Sequence, residues 1–414
     1  MRLICFLLVF VHVLALDVQV VSKSAVLINA DSGTVLYDKH KDRVAYPASI
    51  TKIATALFAL KQIDDLDKMV VCPSECLVKI SPKVKVAHDY THPSHWLEYD
   101  GTTFGVLKNE ILPLSSLFYG MMLVSGNDAA NVIAHHASGN VLAFTDGLNS
   151  YLSSIGCLNT QFKNPHGLHH PEHYTTAHDM ACITREALKD ERFRKIVSAL
   201  SHERPKTNKQ AKKVINQANR LLRKATNFYY DKALGIKTGY HSKAGYTLVA
   251  AAEHHGRTLI AVVLGSPNPQ QRYRDAINLF DAAFAEKKEK RLLFRADENT
   301  FRHTIKGANT ALLADLKEDV WYNFYPSEEV GLRSFLHWDE LAFPIEIGSR
   351  VGEVVIYDEH ENLILSAPLF AKSHVRLSLW HRLSRHRVFL ACMVLGLIFV
   401  IVFAQPRFRK LLKR

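Results

Sequence analysis

Ala233-Leu234-Gly235-Ile236-Lys237-Thr238 is the stretch whose reading decides the fold. It reads as a strand, and two more strand-like runs follow at once, Tyr246 to Ala252 and Thr258 to Leu264. Asn268 to Phe284 then reads as a long closing helix. A hairpin signal stands near the other end of the chain. It consists of Ala25-Val26-Leu27-Ile28, the turn Asp31-Ser32-Gly33, and Thr34-Val35-Leu36-Tyr37. Helical spacing fills the middle: Ser49 to about Ile63, Leu114 to Leu123, Asp128 to Ala137, Leu142 to Ile155 and Thr175 to Leu188. Residues 64–112 read as irregular and strand-like. Strands first and last with helices between imply one antiparallel sheet, completed by the N-terminal hairpin, with helices against it: an α+β domain.

Three short motifs sit on this frame. Ser49-Ile50-Thr51-Lys52 places a serine and a lysine three residues apart at a helix start, hence on one face. A serine hydroxyl is a poor nucleophile near neutral pH and needs a partner to take its proton. A lysine can do so if burial or a neighbouring cation holds part of it neutral, and Lys237 is a candidate for that cation. Ser125-Gly126-Asn127 lies in a turn between two helical runs. Ser125 can relay a proton to a leaving group, and the Asn127 amide can hold both Lys52 and a substrate carbonyl. Lys237-Thr238-Gly239 supplies a charge, a hydroxyl and a residue that lets another chain approach the strand edge. Taken singly, the three read equally well as a surface pair, a helix junction and a strand end.

Together with Pro47-Ala48, Asp128-Ala129, Asn164-Pro165-His166-Gly167-Leu168, Thr175-Thr176-Ala177-His178-Asp179-Met180 and Ala244-Gly245-Tyr246, the motifs carry a family resemblance. From Ser24 to about Phe284 the chain resembles the low-molecular-mass penicillin-binding proteins, the serine-type D-alanyl-D-alanine carboxypeptidases. The resemblance implies a penicillin-binding/β-lactamase-like domain over 24–285, then a small all-β domain over 292–372. The implied reaction removes the terminal D-alanine from peptidoglycan stem peptides ending in D-Ala-D-Ala. Ser49 would attack the penultimate carbonyl with Lys52 as base, Ser125 would pass a proton to the departing D-Ala, and Asn127 and Lys237 would complete the catalytic set. The backbone N–H groups of Ser49 and Tyr240 would hold the oxyanion. Thr238, Gly239 and Tyr240 would line the substrate, and Arg272, with Arg274 behind it, would meet the terminal carboxylate. Some relatives carry histidine at the position of Tyr240, so a side-chain role there does not carry over. β-Lactams would acylate Ser49. No cofactor is implied.

The ends of the chain bear on location. Leu3 to Leu16 is an apolar run behind Arg2, and Val13 and Ala15 fit a cleavage site, so 1–15 reads as a signal peptide. Val388 to Ala404 is an uncharged run of 17 residues, roughly 26 Å as a helix, near the short limit for a transmembrane helix. The basic tail 405–414 would then be cytoplasmic and the catalytic domain extracytoplasmic, on a single-pass protein of the bacterial cytoplasmic (inner) membrane. The formal net charge of +12 suggests nucleic acid, but residues 376–414 hold nine Arg/Lys and no acid. With Arg2 set aside, about +2 remains for the body, so no nucleic-acid partner is expected. The basic stretch Arg204 to Lys224 reads as a solvated loop and helix face, or as a contact with an anionic polymer or headgroups. Cys72, Cys76, Cys157 and Cys182 permit disulfides in an oxidising compartment, with three connectivities open, or four free thiols. His166, His169, His170, His173 and His178 crowd one segment without an HExxH spacing, and no metal is assigned.

Two alternatives stay open. One is a DD-endopeptidase or weak transpeptidase, which would share the acyl-enzyme. The other is a non-catalytic wall-binding protein. A class A β-lactamase is disfavoured, because no counterpart of its deacylating glutamate is found and Gly126 replaces its usual aspartate.

Overall fold

The computed structural model describes residues 3–5, 16–296, 298–359, 361–382 and 391–398. The chain divides into two compact units, Leu14–Glu286 and Lys287–Arg414 with Met1–Val13.

The first unit is built on a five-stranded antiparallel sheet. Its strands are β1 (Ser24–Asn29), β2 (Val35–Lys39), β3 (Ala233–His241), β4 (Gly245–His254) and β5 (Arg257–Ser266). The order is β3-β4-β5-β1-β2, so β3 is a free edge. The N-terminal hairpin closes the sheet by pairing Val26 with Val262. Both faces are covered, and this explains the unbroken apolar run of β5. Ile260, Val262 and Leu264 face the helical core, while Leu259, Ala261 and Val263 face the closing helix.

The helices are α1 (Lys52–Gln62), α2 (Leu114–Leu123), α3 (Asn127–Ser138), α4 (Val141–Ser154), α5 (Ala177–Ala187), α6 (Glu191–Ser198) and α7 (Gln271–Ala285). Helix α1 is apolar on nearly every side, with Ile53, Ala54, Leu57 and Leu60 buried, because α3, α4 and α5 surround it. Asn140 and Thr176 cap α4 and α5 by accepting from Ala143 N and Asp179 N. Helix α7 packs Tyr273, Ala276, Phe280 and Ala283 onto the other face of the sheet.

Two local expectations change. Helix α6 is not anticipated by the sequence reading. Part of the basic stretch from Arg204 forms a hairpin, Ser201–Arg204 with Lys213–Asn216, followed by a short 3₁₀ turn, Arg220–Leu222, rather than a helix face. Its tip is tied down by Thr207 and Gln210, which bond the buried carboxylate of Glu110.

The second unit is rich in strands. Leu332–Trp338, Arg350–Asp358 and Leu363–Ala371 form consecutive antiparallel neighbours around Val351, Val354, Ile356 and Leu369. Of the expected signal segment, only Leu3–Cys5 is described, as a short strand paired with Leu332–Trp338. Of the expected membrane span, residues 391–398 are helical and exposed, while 388–390 and 399–404 lie outside the described residues. Among the described residues no helix is long and apolar enough to cross a membrane. The basic tail 405–414 also lies outside them.

Candidate active site

Ser49 sits in a 3₁₀ turn, Ala48–Thr51, that runs directly into α1. Ala48 carries a left-handed backbone, φ 52°, which turns the chain sharply before the serine. The turn is pressed from two sides. Thr247 Oγ1 donates to Pro47 O at 2.9 Å from the sheet. On the other side lies the Asn164–Gly167 loop, so close that a Cβ on Gly167 would fall 2.0 Å from Ala48 O. Gly239 is needed for a similar reason, since a Cβ there would lie 2.8 Å from Ser49 N and 3.0 Å from Pro47 O.

Lys52 is fully buried, and its Nζ has three partners. They are Asn127 Oδ1 at 2.7 Å, His166 O at 2.6 Å and Ser49 Oγ at 3.1 Å. Two of these are fixed acceptors that consume two N–H bonds. The third position of the nitrogen therefore faces the serine, whether it carries a proton or a lone pair. Burial holds the Lys52 amine well below its usual basicity, and the charge of Lys237 adds to this, while Asp128 opposes both. Lys237 is itself buried, and burial together with Arg272 brings it down to about 7.

Asn127 is placed by the turn into α3. Ser125 adopts φ 63°, and Asn127 N donates to Thr102 O. Asp128 fixes the facing loop by accepting from the N–H groups of Phe104, Gly105 and Val106 at 2.7–2.9 Å. The Ser125 hydroxyl is half-buried and makes no hydrogen bond among the described residues.

The strand edge has a defined polarity. Arg272 Nη1 donates to Gly239 O at 2.9 Å and to Thr247 O at 3.3 Å. Gly239 and Thr247 face each other in register. One nitrogen can reach both carbonyls only if both point between β3 and β4. The Tyr240 N–H and the Thr238 C=O then point the opposite way, to the free edge. Lys237 Nζ donates to Thr238 O at 3.0 Å. The Tyr240 ring is exposed and stacks on Tyr246 at 4.3 Å. Among the described residues Arg272 has no acidic partner and its buried Nε makes no hydrogen bond, whereas Arg274 is exposed.

Hydrogen bonds thus join Ser49, Lys52 and Asn127, and Arg272 reaches Gly239. Ser125 belongs to the same turn as Asn127 without bonding the nucleophile. The carbonyl of His166 and the carboxylate of Asp128 are the parts that motif reading missed. His166 and His173 are buried and neutral, desolvated first of all by burial, and serve the frame. His166 Nε2 meets His95 O and His173 Nε2 meets Thr51 Oγ1. Among the described residues no group of three or more His, Cys, Asp or Glu could hold a metal ion. Cys72, Cys76, Cys157 and Cys182 are free thiols.

A serine hydroxyl against a buried, weakened lysine, with an amide and a second cation beside it and a free strand edge, can carry out acyl transfer. The chain belongs to the peptidase S11 family, the D-alanyl-D-alanine carboxypeptidases, whose model matches residues 12–268. These are serine-type hydrolases. The chain is 28% identical to D-alanyl-D-alanine carboxypeptidase DacF of Bacillus subtilis, covering 86% of each chain. It is 30% identical to DacA of Haemophilus influenzae, covering 81% of each. Penicillin binding protein 5 from Haemophilus influenzae matches as a solved structure with a TM-score of 0.57 at 28% identity. That match covers 86% of this chain and 98% of the other.

Proposed function

We propose that the protein removes the terminal D-alanine from peptidoglycan stem peptides through an acyl-enzyme on Ser49. The observation that carries this reading is the Lys52 amine, buried, weakened and held by Asn127 and His166 so that its free position meets Ser49 Oγ. In its neutral form it accepts the serine proton as Oγ attacks the penultimate D-Ala carbonyl. The substrate adds to the free edge of β3 as an antiparallel strand, between the Tyr240 N–H and the Thr238 C=O. The N–H groups of Ser49 and Tyr240 receive the oxyanion. Arg272, without an acidic partner among the described residues, and Thr238 meet the terminal carboxylate, and Lys237 adds charge beside them. The half-buried Ser125 hydroxyl hands a proton to the leaving D-Ala amine. Water then hydrolyses the ester. β-Lactams follow the same path to a stable adduct.

Residues 1–15 act as an export signal and 388–404 as a membrane anchor in this reading. Its support is the apolar sequence and the exposure of Met393, Leu395 and Leu397. Cell fractionation of a chain truncated after Ala371 tests the anchor.

The test of activity is D-Ala release from a D-Ala-D-Ala pentapeptide, run beside a crosslinked dimer to separate carboxypeptidase from endopeptidase. The wild type is expected to release D-Ala from the monomer and to take up fluorescent penicillin. Unchanged release and labelling in Ser49→Ala would sink the assignment.

A further inference from the structure

Beyond the C-terminal end of β3 lies a cleft of about 290 Å³ that the proposed chemistry does not use. It opens between the turn after β3, the segment leading into the Ser49 turn, and the end of β5. Three cations line it, Lys23, Arg43 and Lys243, beside the rings of Tyr46 and Tyr174. No acidic residue lines it. None of the three cations makes an ion pair among the described residues. Asp42, next to Arg43 in the chain, is already taken by Lys41 at 2.7 Å. The aliphatic stem of Lys23 lies across Gly265, close enough that a Cβ there would fall 3.1 Å from it. Three like charges gathered round one concavity repel one another, and an anionic guest relieves that repulsion.

The position of the cleft suggests the guest. An antiparallel substrate strand with its terminal carboxylate at Thr238 and Arg272 has its scissile carbonyl beside Ser49. Its upstream part then runs past Tyr240 and His241 toward Lys243. Lys243 sits in the turn two residues past the end of β3 at His241, at most about 14 Å from Gly239. Arg43 lies on the segment leading to Ser49. The residues two and three places upstream of the scissile bond, with their side chains, span a similar reach of about 10–14 Å.

We propose that this cleft is a subsite for a carboxylate of the stem upstream of D-Ala-D-Ala, so that Lys23, Arg43 and Lys243 make the enzyme prefer anionic stems. This rests on the acyl-transfer reading of Ser49. The carboxylate could come from the α-carboxyl of a γ-linked D-glutamate or from the side chain of a diaminopimelyl third residue.

Three peptides separate the sources: L-Ala-γ-D-Glu-diaminopimelyl-D-Ala-D-Ala, its D-Glu α-amide, and its lysine analogue lacking the side-chain carboxylate. The readout is the ratio of kcat/KM for the parent peptide to that of each partner peptide. For wild type one ratio is expected near tenfold, identifying the source. Arg43→Gln with Lys243→Gln is expected to bring that ratio close to one, and Lys243→Arg to preserve it. Equal rates on all three peptides in wild type, or an unchanged ratio in the double variant, overturn the subsite and leave the Ser49 reading standing. No D-Ala release from any peptide overturns both.

Discussion

Gly239→Ala tests how closely the nucleophile turn is held against the sheet. The added methyl would sit 2.5 Å from Thr247 Oγ1, 2.8 Å from Ser49 N and 3.0 Å from Pro47 O. The Thr247 hydroxyl can rotate away, but that breaks its 2.9 Å bond to Pro47 O, a loss of about 1 kcal/mol. The two backbone contacts have no such escape. Restoring ordinary contact moves the Ser49 turn back by about 0.6 Å, and overpacking of this kind costs about 1–3 kcal/mol of stability. The displacement also separates the two N–H groups proposed for the oxyanion, one on each side of the contact. A misplacement approaching 1 Å can cost about 100-fold in rate, so a fall of about 10- to 100-fold in acylation is expected. Stopped-flow acylation by fluorescent penicillin gives the rate, and urea unfolding gives the stability. An acylation rate within about twofold of wild type, in a protein that has lost no stability, would refute the reasoning.

Lys237→Gln removes a positive neighbour of Lys52, so the Lys52 amine becomes more basic. The acidic limb of the kcat/KM profile should move to higher pH, which a pH series measures. Asp128→Asn should move the same limb to lower pH and, by setting an amide against three backbone N–H donors, cost about 2–3 kcal/mol in urea unfolding. Lys237 also leaves a mark on stability. Its folded pKa of about 7 lies below its ordinary 10.5, so its charge-burial penalty is full below pH 7 and fades as pH rises toward 10.5. Lys237→Met should therefore gain stability over wild type at pH 6, with the gain shrinking by roughly 1.4 kcal/mol per pH unit within that window. Asn127→Ala leaves Lys52 Nζ without its 2.7 Å acceptor, and acylation should fall about 10- to 100-fold.

Much of the α+β frame was legible because its elements carry local signals. The hairpin around Asp31-Ser32-Gly33 appears as Ser24–Asn29 and Val35–Lys39, with Gly33 at φ 81°. The run 233–264 appears as β3, β4 and β5. Helix α6 escaped notice because Glu191-Arg192-Phe193-Arg194-Lys195 is dominated by charge, and only Phe193, Ile196 and Val197 reach the core. The serine–lysine pair was visible as a spacing. How the lysine is buried and held was not: its burial, which weakens it, and the carbonyl of His166, which fixes its position, arise from packing across more than a hundred residues, and a backbone oxygen has no sequence signature. The left-handed residues Ala48 and Ser125 were equally silent, since neither is a residue type that favours that conformation.

The acyl-enzyme on Ser49 is the centre of this account, and mass spectrometry of the penicillin-treated protein reaches it most directly. The account predicts a single penicilloyl adduct on the proteolytic fragment containing Ser49, absent in Ser49→Ala and formed far more slowly in Lys52→Ala. An adduct on any other residue, or one that persists in Ser49→Ala, would contradict it.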